Sequence, residues 1–276
     1  MAGTISPGVS DDGKRRALRR AAISVLACVV MWELGSRSGQ WLGFKVPGIG
    51  DLPAPSSVLV TWYRVITDPG YWHSWVASTW RVLGGFLAAL VLGVPLGLTL
   101  AISRTFRGIL FPVFEVIRPI PPLAWVPAAI IFWPTQELAI MFITFLGAFF
   151  TIVINTYGGA QALDARFVQA AQSLGASGPL VFRSVIFRAC IPSILVGATV
   201  GIGITWEVVV AAEMISGASK VGGKGACLGH FIWSSYLGGD YNQIIVGMIS
   251  IGIAGYICSA AVRWLGRLLM PWALTR

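Results

Sequence analysis

Long apolar runs restrict this chain more than any motif in it does. A helix needs roughly 20 mainly apolar residues to cross a bilayer. Runs of that kind recur at Ala21 to Leu42, Thr79 to Ile102, Ile109 to Trp133, Leu138 to Ile154, Ile194 to Met214 and Ile244 to Leu265. Of 276 residues, 56% are hydrophobic and only 11% charged, where a soluble domain carries about 25% charged. The expectation is an all-α polytopic membrane protein with six transmembrane helices. Glu33, Gly35, Ser36 and Arg37 interrupt the first run, so its ends are the least distinct.

The net charge of +9 reads as an orientation signal, because Lys and Arg collect on the cytoplasmic side of membrane proteins. Lys14, Arg15, Arg16, Arg19 and Arg20 precede the first run; Arg104 and Arg107 follow the second; Arg166, Arg183 and Arg188 follow the fourth; Arg263, Arg267 and Arg276 follow the sixth. With six crossings these share one side, against Arg37, Lys45, Arg64, Lys220 and Lys224 on the other. Both termini are therefore expected in the cytoplasm. The organisation is a basic tail over residues 1–20, then one six-span domain over 21–276 with a cytoplasmic segment at 163–192. Arg81 and Arg118, near run ends, are expected to snorkel.

Several local features carry less. The basic start and Val25-Leu26-Ala27-Cys28 imitate a secretory or lipoprotein signal, but the first run is needed for an even number of crossings, so it is expected to stay. Residues 1–13 read as a disordered tail. Cys28, Cys190, Cys227 and Cys258 are spread over lipid and both sides, which argues against a disulfide or zinc site. Ser56 caps an expected short helix through Ile66, with Val58, Leu59, Trp62 and Val65 on one face; lying on the outer membrane surface and packing on the spans are both open readings. Glycines at 84, 85, 93 and 97, and at 197, 201 and 203, allow close helix approach inside a bundle or between subunits.

The third run is irregular. Arg118-Pro-Ile-Pro-Pro-Leu-Ala-Trp-Val-Pro127 holds four prolines, each removing an amide donor and obstructing the preceding turn. Broken backbone at membrane depth survives where protein or a water-filled cavity satisfies it. Pro121, Pro122 and Trp125 are thus candidates for a pathway wall or a gate hinge, with a plain kink as the alternative. Glu115 and Arg118 are spaced to pair along one helix, and a gate is their second reading. In the fifth run Trp206, Glu207 and Glu213 stand out, since an ionisable group in a span faces a cavity or a partner. The two glutamates lie roughly 240° apart around a helix. Glu207 is expected to face the bundle interior, and substrate contact, pairing with an arginine such as Arg81, and protonation stay open for it. Glu213, near the outer end, is expected to cap or reach water.

Catalytic chemistry is not in view. Gly217-Ala-Ser-Lys-Val-Gly-Gly-Lys-Gly225 imitates a phosphate-binding loop, but Gly223 stands where that motif requires Lys and Gly225 where Ser or Thr should follow. No H-E-x-x-H or paired-carboxylate site is evident, and His73 and His230 are expected apart on the outer side. The chain is not expected to be an enzyme, to hold a metal or to bind nucleic acid. Any ATP it depends on is hydrolysed by another chain.

One polar stretch, Asp164 to Pro192, separates apolar runs. Asp164 is a good N-cap, and Phe167, Ala170, Ala171 and Leu174 follow at the spacing of one helix face. Gly175 supplies a stop, and Ser177-Gly178-Pro179 starts a second helix running toward Cys190. The small residues would let such a helix lie deep in a partner's groove.

Here the chain resembles the inner-membrane permease subunits of bacterial ATP-binding-cassette importers, whose signature reads E-A-A-x-x-x-G followed by I-x-L-P. The match is Gln169-Ala170-Ala171-x-x-x-Gly175 with Val185 in the Ile position; Gln169 replaces Glu, Phe187 replaces Leu and Arg188 replaces Pro. Leu52-Pro-Ala-Pro-Ser-Ser-Val58, the Arg118 to Pro127 stretch, Ile154-Asn155-Thr156, Ala176-Ser177, Val209-Val-Ala-Ala-Glu-Met214 and Pro192 are similar to the branch for nitrate, bicarbonate, sulfonate and taurine. The resemblance spans about residues 45 to 270. It implies a type I importer permease in the bacterial inner membrane, paired with a second copy or a related chain. It also implies two ATPase subunits holding ATP and Mg, and a periplasmic or lipid-anchored binding protein. Asp164, Phe167, Gln169, Ala170, Ala171, Leu174 and Gly175 would then dock on the ATPase. A small anion is the implied cargo, although ionised glutamates in the fifth run would repel one, which keeps neutral and zwitterionic solutes open. A stand-alone secondary transporter or channel is the competing expectation.

Overall fold

The computed structural model describes residues 11–41, 43, 47–216 and 227–270. The first ten residues, Leu42, Lys45, the Gly217 to Gly225 loop with Lys220 and Lys224, and Arg276 lie outside the described residues. Among those described, the chain is helical and contains no strand.

Helix α1 (Asp11–Ser36) and the short α2 (Ser38–Trp41) occupy the first apolar run. Among the described residues, four elements are each long and apolar enough to cross a membrane: α4 (Pro69–Ile102), α7 (Gln136–Gln161), the continuous Gly178–Ser216 and α12 (Tyr241–Leu269). Helix α1 is not among them, because Arg19, Arg20 and Glu33 dilute its apolar stretch. Its apolar side chains, Ile23, Val25, Leu26 and Met31 among them, are exposed. The interruption read at Glu33 has a structural use: Glu33 accepts from the Ser56 amide at 3.0 Å and hydroxyl at 2.8 Å, and pairs with Arg37 at 2.6 Å. It thus satisfies the start of α3 (Pro55–Ile66) from a different helix. Ser56 is not the cap expected from sequence; Ala54 holds that position, with Pro55 leading the first turn as proline's fixed φ permits. Val58, Trp62 and Val65 pack with Tyr71 and Val246, so α3 packs against the spans, whereas Leu59 turns outward.

Helix α7 is central, with α4 on one side and α10 (Phe187–Ser216) on the other. Lipid is as apolar as leucine, so close van der Waals packing holds such helices together. At Gly85 a Cβ would lie 2.0 Å from the Thr144 hydroxyl and 2.7 Å from the Met141 carbonyl; at Gly197 it would lie 2.8 Å from Asn155 Cβ. The glycines at 85, 93, 97, 197 and 201 therefore serve contacts within one chain, whereas Gly203 faces open space. Val82, Ala89, Ile140, Ile152, Ile202 and Val209 fill the seam.

The third run breaks as expected. Helix α5 (Arg104–Ile117) ends before a 3₁₀ turn over Pro122–Trp125, then α6 (Val126–Phe132) leaves at 89° to α5. This bent pair still connects opposite ends of the bundle. It starts where α4 ends and stops at the start of α7, where Glu137 bonds Arg81 in the first half of α4. A further helix, α11 (Leu228–Leu237), is wedged between α10 and α12 and was not foreseen from sequence.

Candidate functional site

The segment after α7 folds as its local signals dictate. Asp164 accepts from the Arg166 amide at 2.9 Å and caps α8 (Ala165–Ser173). Gly175 takes φ +80°, Ala176 N–H reaches the Ala171 carbonyl at 3.1 Å and Gly175 N–H the Gln172 carbonyl at 2.9 Å. That pair of bonds is the Schellman stop, which needs a left-handed residue that glycine adopts without Cβ strain. No residue of α8 is buried; Phe167 is 63% and Leu174 89% exposed, Gln169 and Ala170 are exposed and Ala171 is half-buried. Beyond the stop, α9 (Gly178–Val181) starts the second helix, which runs toward Cys190 as expected and does not stop there. It passes through a π turn at Phe182–Ile186 into α10, continuing past Pro192 to Ser216.

The pathway candidates separate into distinct places. Arg118 and Pro122 line a cleft of about 370 Å³ together with Thr151 and Asn155 of α7 and Ile204 of α10. Arg118 pairs with Glu115 at 3.4 Å as their spacing allows, both about half exposed. Pro121 is exposed, and Trp125 is half-buried on the 3₁₀ turn. Trp206 is buried in the core, and its indole N–H and that of Trp125 have no acceptor among the described residues.

The two glutamates of α10 exchange the places expected of them. Glu207 is exposed on a stripe with Val196, Val200 and Gly203 that this chain leaves uncovered. Glu213 does not reach water but is fully buried, and the helix it caps is α11, not its own. Its carboxylate receives Arg81 Nη1 at 2.8 Å, the Ser78 hydroxyl at 2.9 Å and the Gly229 amide of α11 at 3.0 Å. Arg81 is likewise fully buried instead of snorkelling, and its other edge grips Glu137 through Nε at 2.8 Å and Nη2 at 2.5 Å. A buried guanidinium is tolerable only when its fork is filled in this manner. Ser78 also accepts from the Leu228 amide at 3.0 Å, so four elements meet here. Sequence reading missed Ser78 and Glu137; the available signal was three charges of complementary sign at the same end of three spans. His73 is exposed and His230 half-buried. Among the described residues no group of His, Cys, Asp and Glu has the geometry to hold a metal ion.

The family model described as binding-protein-dependent transport system inner membrane component matches residues 93–274. The nitrate import permease protein of Synechocystis sp. is 34% identical over 262 residues, covering 91% of this chain and 89% of that one. The taurine transport system permease protein of Escherichia coli is 31% identical, covering 80% of each chain. The bicarbonate transport system permease protein of Synechococcus elongatus is 29% identical, covering 89% and 87%. Among solved structures, an inward-facing MetNI methionine ABC transporter shares the fold, with a TM-score of 0.55 at 20% identity, over 77% of this chain and 96% of that one. A polytopic helical bundle with a broken third span, an exposed capped helix and these relatives leaves one assignment: the chain belongs to the inner-membrane permease components of binding-protein-dependent transport systems, in the branch that includes nitrate, taurine and bicarbonate permeases.

Proposed function

We propose that this chain is the pathway-forming subunit of an ATP-driven importer and that α8 couples it to a cytoplasmic ATPase. The observation that carries this reading is α8 itself, a helix capped at both ends that holds Phe167 and Leu174 in solvent with no residue buried. A short helix gains little from propensity alone, and an apolar face held open in this way fits a partner's groove. The ATPase pair binds ATP and Mg and does the hydrolysis, while this chain carries no cofactor. Closure of the ATPases shifts the pathway outward and hydrolysis resets it, which requires each partner to favour one pathway state.

A second copy of the chain completes the pathway. The uncovered stripe of α10 supports this, since a carboxylate such as Glu207 facing lipid costs a few kcal/mol and is normally turned to a cavity or a partner. The cargo is a small solute of the nitrate, bicarbonate, sulfonate or taurine class, delivered by a periplasmic or lipid-anchored binding protein. The relatives' names support that class. The assembly belongs in the bacterial inner membrane with both termini and α8 in the cytoplasm, as the charge bias indicates.

Ala171→Arg and Gly175→Asp test the coupling. Both should cut ATPase co-purification and solute-stimulated ATP hydrolysis at least tenfold while permease levels in the membrane stay normal. Full coupling by both variants would sink the assignment of α8, and uptake driven by an ion gradient with no ATPase present would sink the importer reading itself.

A further inference from the structure

The cleft under the broken third span has a composition that its role as a mere kink does not require. Its walls are Leu146, Gly147, Phe150, Ile154, Ile204 and Pro122, apolar or without side chains, and into this setting come Arg118, Thr151 and Asn155. Thr151 and Asn155 are one helical turn apart on α7, so both side chains lie on one face. Asn155 lies six residues, about 9 Å, from the end of α7 and Thr151 ten residues, about 15 Å. The cleft is thus placed inside the span, in the half nearer α8.

We infer that this cleft is a transit site for an oxyanion, with Arg118 as its charged ligand and Thr151 and Asn155 as neutral donors. Four observations converge on an anion. Among the described residues, Arg118 is the only ionisable one lining the cleft. Its bond to Glu115 is a single contact of 3.4 Å, longer than the 2.7–2.9 Å of a good charge-assisted bond, so most of the guanidinium's five N–H donors stay available. Asn155 spends one amide hydrogen on the Thr151 carbonyl at 2.8 Å and keeps the other. The broken segment at Arg118 and Pro122 forms one wall of the cleft opposite α7, and about 370 Å³ exceeds what one small oxyanion fills.

The chemistry selects an oxyanion over a halide or a neutral solute. A planar guanidinium fork matches two oxygens of one anion, and an amide and a hydroxyl supply further donors at its edge. Nitrate, bicarbonate and a sulfonate group all present that pattern. Because Arg118 is about half exposed and weakly paired, the site holds its anion loosely, as a conducting site must. The exposed Glu207, one turn along α10 from Ile204, adds repulsion that would favour release.

This inference rests on the importer reading, and the decisive experiment does not. In native membrane vesicles containing the full-length permease, with its own cysteines replaced by serine, Thr151→Cys is titrated with an anionic sulfonatoethyl and a cationic trimethylammonioethyl methanethiosulfonate. The anionic reagent should react faster, and Arg118→Gln should lower the anionic-to-cationic rate ratio about tenfold, as removal of one nearby charge in a partly screened cleft implies. Arg118→Lys should keep most of the ratio. Nitrate, bicarbonate or taurine at millimolar concentration should slow labelling when Arg118 is present and not when it is Gln. An unchanged ratio in Arg118→Gln, or labelling that none of the three slows, overturns the site. ATP-dependent nitrate uptake measured in parallel separates the two claims: uptake undiminished in Arg118→Gln counts against the site alone, while charge-selective labelling without any ATP-dependent uptake leaves the site standing and counts against the importer.

Discussion

At the scale of single residues, the buried cluster around Arg81 shows how charge is carried inside an apolar bundle. Arg81 and Glu213 are fully buried, and each guanidinium nitrogen and each carboxylate oxygen is hydrogen-bonded, to Ser78, Glu137, Gly229 or the other. A buried pair of this kind contributes little net stability compared with apolar residues of the same volume, yet breaking it by removing one partner costs about 3–5 kcal/mol. Glu213→Ala should therefore lower the thermal inactivation midpoint of the detergent-purified protein sharply. Glu213→Gln should do less, because its carbonyl oxygen can still accept from Gly229 and Ser78. The double replacement Arg81→Met with Glu213→Met should recover much of the loss. Scans at a fixed heating rate check the order of these midpoints; a double variant no better than Glu213→Ala would show that packing, not unpaired charge, sets the cost. This cluster was hard to read in sequence for a physical reason. The 240° separation of Glu207 and Glu213 fixed that they face apart, but which one faces inward depends on the rotation of α10 against α7, and that is set by Gly197 and Gly201 meeting Asn155 and Ala148.

At the scale of elements, legibility follows how local the determining interactions are. Helix α8 was readable almost residue by residue because Asp164 and Gly175 act within one turn of the ends they define. The break in the third run was readable for the same reason, since prolines act on their own turn. The continuation of α10 through Pro192 and the π turn was not. A proline in a long span stays helical when neighbouring helices support the freed carbonyl, and those neighbours are remote in sequence. Glu33 at the start of α3 is a similar case, a cap delivered across 23 positions. The local character of α8 makes a direct prediction. Asp164→Ala removes a cap bond worth about 1 kcal/mol, so hydrogen exchange at the Arg166 and Phe167 amides should speed up about fivefold. Exchange within α4 and α7 should not change. If the cap contributes nothing, the Arg166 amide will exchange at the same rate in both proteins.

At the scale of the whole molecule, the contacts among helix ends order the crossings more firmly than hydropathy does. Glu137 at the start of α7 and Glu213 near the end of α10 both meet Arg81 in the first half of α4, and the start of α11 meets Glu213 and Ser78, so these termini share one end of the bundle. Helix α3 joins that end through Ser57 to Asn242 at 2.7 Å, and Glu33 of α1 joins it through Ser56. Helix α8 follows the far end of α7 and therefore lies opposite. The bent α5–α6 pair counts as a crossing because it links the end of α4 to the start of α7. Helix α1 then decides whether the crossings number five or six. With Glu33 fixed at the Arg81 end, the stretch from Glu33 back to Asp11 rises about 33 Å, a little more than the roughly 30 Å of a hydrocarbon core, so a crossing α1 would bring its first turn to the α8 side, with Arg16, Arg19 and Arg20, about 20–26 Å from Glu33, snorkelling toward that surface. In a cysteine-free background, Leu174→Cys and Arg16→Cys should both resist a membrane-impermeant maleimide added to intact spheroplasts and react once the membrane is opened, whereas Asp51→Cys should react from outside. Labelling of Arg16→Cys in intact spheroplasts would place α1 on the outer surface and leave five crossings, with the two chain termini on opposite sides.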